Sequence, residues 1–167
     1  DMISAWLEFA RNNEILLIAP NLPRDPAFEP IAPEFFKRIV DTVAHEAPVD
    51  PHRTYVFGHS MGGYLAFDAA MFDSDYFAAV AVHASFIAPD YLDILDRAKR
   101  KIPIALYIGT DDKLVRLADV RRTRDLLLAR GFPLQYEELK NHDHDYYAIS
   151  RAINNDVWAF FRKQRLK

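Results

Sequence analysis

Apolar residues fall along this chain in two alternating patterns. Short apolar runs occur at 15–19, 77–82 and 104–108, and a β-favouring run, Thr54 to Phe57, stands between the first two. Runs of this kind fit strands buried on both faces of a parallel sheet. A further run, 134–139, alternates polar and apolar positions and suggests a sheet edge. Between these runs the apolar positions recur at helical spacing. Trp6, Leu7, Phe9 and Ala10 mark a helix ending near Asn12; Phe36, Ile39, Val40 and Val43 mark one opening at Pro33. Further helices are expected after Gly63 to about Met71, over 89–100 with Tyr91, Leu92 and Leu95 inward, and over 117–130, closed by Gly131. A last helix carries Ile149, Ile153, Val157, Phe160 and Phe161. The proline-rich stretch 21–32 reads as a loop. Strands alternating with helices predict one α/β domain over 1–167, a mainly parallel sheet with helices on both faces. Active groups then belong beyond the carboxyl ends of the strands.

One such end stands out. The run Thr54-Tyr55-Val56-Phe57 enters Gly58-His59-Ser60-Met61-Gly62 and continues into a helical pattern. A serine exposed on so sharp a strand-to-helix turn needs neighbours almost free of side chain, which Gly58 and Gly62 supply and Gly63 extends. The backbone N–H of Met61, at the start of the helix, is placed to stabilise an oxyanion.

Composition narrows the function. The chain has 167 residues, half of them hydrophobic and 27% charged, with net charge -3. That balance fits a soluble globular protein and gives no electrostatic case for nucleic acid or an anionic membrane surface. There is no cysteine, which removes disulfides and thiolate metal sites. No apolar run reaches membrane-spanning length.

A serine hydroxyl becomes a useful nucleophile only beside a base that is itself oriented. Two later loops offer an acid, Gly109-Thr110-Asp111-Asp112, and a base, His142-Asp143-His144-Asp145-Tyr146-Tyr147. The chain order Ser, Asp, His and the glycine-flanked serine resemble the α/β-hydrolases. More narrowly, the chain resembles polyhydroxybutyrate-depolymerase-like, feruloyl-esterase-like and S-formylglutathione-hydrolase-like serine esterases. The resemblance runs from about Ala32 onward and includes Pro48-Val49-Asp50-Pro51-His52-Arg53 before the serine motif. It implies catalytic Ser60, Asp112 and His144, a small ester as substrate, and no cofactor. Asp112 is chosen over Asp111 by the pattern Gly-x-x-Asp-x-x-Val through Gly109 and Val115. His144 is chosen by its place two residues before the Tyr-Tyr pair. It also stands three residues after Asn141, where related enzymes often carry glycine. The feruloyl-esterase-like spacing, four residues before an aromatic, keeps His142 as the alternative base.

Residues expected to line the pocket are His59, Tyr64, Phe86, Tyr91, Tyr146 and Tyr147, with His83 near its floor. A metal on His142 and His144 is not expected. A zinc site needs three or four ligands, no other histidine is placed by a motif, and Tyr146 stands where a metallo-β-lactamase-like pattern needs aspartate. An acyltransferase or peptidase would use the same three residues, and a non-catalytic binding module could keep the same fold. In the resembled family, strands precede the run at 15–19, and a loop among them donates a second N–H to the oxyanion. No such stretch precedes Ser60, so the chain is expected to be an N-terminally incomplete piece of a longer enzyme.

Overall fold

Four of the expected strands form. They are β1 (Tyr55–His59), β2 (Ala79–His83), β3 (Ile104–Gly109) and β4 (Leu134–Leu139), paired in parallel in that spatial order. The computed structural model describes residues 1–21, 32 and 34–167. Of the loop expected over 21–32 only the two end residues are described, and the Pro33 helix start lies outside the described residues.

The two faces of the sheet are built from alternate residues, as strand geometry requires. One face presents Val80, Val82, Ile104, Leu106 and Ile108. Helices α3 (Met61–Phe72) and α5 (Leu117–Ala129) pack there, joined by the short α4 (Ile94–Arg97), while α2 (Glu34–Ala44) packs against α3. The other face presents smaller residues, Ala79, Ala81 and Ala105, beside Tyr107. Their size lets α1 (Met2–Asn12) and α6 (Ser150–Phe161) approach through Trp6, Ile153, Val157 and Phe161. The result is a three-layer α/β arrangement. Every helix linking consecutive strands lies on the first face, so all four strands point the same way and their carboxyl ends share one rim.

The helix that follows the serine is covered nearly all round. Ala66, Ala69 and Ala70 face neighbours closely, and Phe67 and Met71 are fully buried. By contrast α2 buries no residue completely, and its apolar stripe is only half-covered.

Three expectations are corrected. Residues 15–19 form no strand; the stretch is half-buried, with Leu16 49% exposed. A strand needs a ladder partner, and this stretch pairs with none of the four strands, although one edge of β1 is left unpaired among the described residues. Residues 89–100 form not one helix but a 3₁₀ turn (Pro89–Tyr91) followed by α4. Ser74 Oγ takes the N–H of Lys99 at 2.9 Å, drawing the backbone out of the helix after Arg97, and Tyr91 points outward while Ile94 and Leu95 are buried. On α1, Leu7 turns outward and leaves burial to Trp6 and Ala10.

Candidate active site

Ser60 sits between β1 and α3 with φ 55 and ψ -121, a conformation costing roughly 1–3 kcal/mol for a residue with a side chain. The surroundings impose it. Its N–H donates to His83 O at 2.9 Å, and its carbonyl accepts from Gly63 N at 2.9 Å. Gly58 is required here, because a Cβ on it would collide with the carbonyl of Gly62. Gly62 itself is not needed for space: a Cβ there would meet nothing, contrary to the expectation from the motif. Met61 is the first residue of α3, so its N–H has no intrahelical acceptor and stands where the helix dipole is positive.

Asp112 lies in the loop after β3 with its side chain wholly buried. One oxygen, Oδ1, accepts the N–H groups of Leu114 at 2.9 Å and Val115 at 2.8 Å. Burial pushes the carboxyl pKa up, but the hydrogen bonds from Val115, His144 and Leu114 outweigh it and hold the group below its ordinary value. Asp111 is an exposed turn residue.

The loop after β4 brings the third group. Asn141 adopts φ 57, the left-handed conformation that asparagine tolerates where glycine is common. Its N–H donates to Thr110 Oγ1 at 2.9 Å. Gly109, ending β3, lets the backbone of His142 and Asp143 lie against it; any Cβ would strike the His142 carbonyl. Two residues on, His144 Nδ1 is 2.8 Å from Asp112 Oδ2 and Nε2 is 2.9 Å from Ser60 Oγ. An ionised carboxylate can only accept, so Nδ1 carries the proton and Nε2 presents a lone pair to the serine hydroxyl. It is thus His144, not His142, whose ring meets Ser60. Such an arrangement can take the serine proton as Oγ attacks an electrophile.

Other expected residues divide. His59, His142 and Tyr147 line an open cleft of about 1240 Å³ with Asp112 and His144. Tyr146 is fully buried behind it, its hydroxyl donating to Asn154 Oδ1 at 2.5 Å. Tyr64 and Tyr91 meet edge to face, 5.5 Å between centroids, and Phe86 packs on the core; none of these lines the cleft. Leu114, in the bend after Asp112, and Ile149, at the end of a 3₁₀ turn (Tyr146–Ile149), also line it; neither was expected there, Ile149 having been read by its helical spacing as core. No group of three or more histidine or acidic side chains among the described residues is placed to hold a metal.

The esterase family model, "Putative esterase", matches residues 18–164. The chain belongs to this esterase family. No curated protein shows a significant match. Among solved structures, this esterase-family chain resembles S-formylglutathione hydrolase (FrmB) from Staphylococcus aureus: TM-score 0.76, 22% identity, over 93% of this chain and 75% of that one. It also resembles FphF, a fluorophosphonate-binding serine hydrolase of Staphylococcus aureus: TM-score 0.77, 21% identity, over 92% and 74% respectively. A thermostable esterase matches at TM-score 0.66 and 21% identity over 86% of this chain. This chain spans only 39% of that esterase's length. At such identities the likeness is one of fold. No helix among the described residues is long and apolar enough to cross a membrane.

Proposed function

We propose that this chain carries the catalytic centre of a serine hydrolase that cleaves small carboxylic esters through an acyl-serine intermediate. The observation that carries the proposal is the continuous path from Asp112 Oδ2 through the His144 ring to Ser60 Oγ, at 2.8 and 2.9 Å.

His144 Nε2 takes the hydroxyl proton as Ser60 Oγ attacks the ester carbonyl carbon. The carbonyl electrons move onto oxygen, and the oxyanion meets the Met61 N–H at the amino end of α3. The intermediate collapses, the alcohol leaves with the proton from His144, and Ser60 is left acylated. Water then gives its proton to His144 and attacks the acyl carbon, and the acid departs as Ser60 recovers its proton. Asp112 holds His144 in the Nδ1–H tautomer and offsets the charge of the imidazolium formed in each half. Membership of the esterase family supports the ester class.

Likeness to a fluorophosphonate-binding hydrolase makes a fluorophosphonate the apt probe. Intact-mass measurement should show one adduct, absent from Ser60→Ala. His144→Ala should slow the labelling by about 10²–10⁴-fold, the range for a lost general base, and His142→Ala far less. An adduct that persists in Ser60→Ala would remove Ser60 from the mechanism.

A further inference from the structure

Behind the Ser60–His144–Asp112 path lies a layer of imidazoles that the proposed hydrolysis does not use. His59 ends β1, His83 ends β2, and the parallel register sets them opposite each other. Their Nδ1 atoms are 2.9 Å apart. Two ring nitrogens at that distance share one proton, so one ring is an Nδ1–H tautomer and the other offers a bare Nδ1. Burial decides which. His83 is fully buried and its Nε2 has no partner among the described residues, whereas His59 lines the cleft. An interior N–H without an acceptor is the rarer and costlier defect. His83 therefore carries its proton on Nδ1 and donates to His59, whose own proton sits on Nε2, where water can reach it.

Both rings are held neutral. Burial lowers the pKa of each, to about 3 for His83, and neighbouring imidazoles add to the effect. The titratable groups facing the pair are His142, His144, Asp112 and Asp145. Tyr146 backs both rings, with centroids 5.5 Å from His59 and 5.9 Å from His83.

His83 reaches the reacting groups by two routes. Its carbonyl accepts the N–H of Ser60 at 2.9 Å. Its side chain holds His59, whose ring lies 4.9 Å from that of His144 between centroids. We propose that His83 is a positioning residue: by donating to His59 Nδ1 it locks the ring on which His144 rests, and so keeps His144 Nε2 aimed at Ser60. The role rests on the serine-hydrolase reading given above. Neutrality is part of it, because a cationic His59 would oppose the imidazolium that forms on His144.

Two measurements on the full chain test this. Long-range ¹H–¹⁵N spectra report each histidine tautomer, with Nδ1–H expected for His83 and Nε2–H for His59. A proton on Nε2 of His83 would overturn the proposal. The second is the rate and pH profile of fluorophosphonate labelling. His83→Phe fills the space without a donor and should slow the labelling step by about 10–100-fold, the cost of a small misplacement, with probe affinity unchanged. His83→Asn keeps a donor near the Nδ1 position and should restore most of the rate. Equal rates in the two variants, whether fast or slow, would also overturn it. Should His83→Phe fail to fold, His83→Gln, whose amide reaches the Nε2 position instead, takes its place in the comparison. If the wild-type chain is not labelled, the hydrolase reading itself fails. The His144 signals then decide the positioning role: unchanged by the substitution they refute it, and shifted by loss of the donor alone they support it.

Discussion

Both carboxylate oxygens of Asp112 are engaged, Oδ1 by two backbone N–H groups and Oδ2 by His144. Asp112→Asn keeps the volume but offers His144 an amide, which selects the wrong tautomer. Ester hydrolysis should fall by about 10⁴-fold, measured as kcat, with the melting temperature changed far less than the rate. The choice of Asp112 over Asp111 was legible only through the family resemblance, whose pattern sets the aspartate three residues after Gly109 and three before Val115. The choice of His144 leaned on Asn141 and the Tyr-Tyr pair, while the feruloyl-esterase-like spacing kept His142 as the alternative, since residues in an irregular loop have no period. What the structure adds is the left-handed backbone of Asn141, at φ 57, and the contact of the loop with Gly109, both three-dimensional facts. Gly62 shows the converse: the motif marks it, yet space around it is free.

Among the elements, the β3 terminus and the loop after β4 behave as one piece. Gly109→Ala would place a Cβ on the His142 carbonyl and displace the loop that ends in His144. The helical and strand signals in circular dichroism should survive, while Ser60 labelling falls by roughly 10²-fold or more for an ångström of displacement. Unaltered labelling would show that the loop can yield without moving His144. The strands β2 and β3 could be read from sequence because both their faces are buried and each lies between partners. The run at 15–19 is as apolar as they are, but apolar character alone does not set a ladder, and this run joins none of the four strands. Likewise the apolar spacing over 89–100 is helical, while the side chain of Ser74, far away in sequence, ends the helix.

For the whole molecule, the buried imidazole of His83 couples folding to acidity. Its pKa in the fold, about 3, lies below the ordinary value of 6.5. Above 6.5 neither folded nor unfolded chain binds this proton, and the group leaves stability unchanged with pH. Between the two values the unfolded chain binds it and the fold does not. Stability should therefore decline as pH falls, by up to ~1.4 kcal/mol per unit for one proton. Urea unfolding at successive pH values between about 6 and 4 would measure this slope, and His83→Asn should flatten it. The class of fold and the rim where the chemistry gathers were plain in the alternation of strands and helices. This inner layer of histidines was not, because it depends on the register between strands that are remote in sequence.

The place of β1 has a further consequence. The strand that delivers Ser60 is held by a ladder on one side only among the described residues, whereas β2 and β3 are held on both. Local opening starts where fewest bonds must break. On warming, the amides of β1 should exchange with solvent before those of β2 and β3. The strained turn at Ser60 would relax at the same moment, so catalytic competence would fade while most of the sheet remained intact.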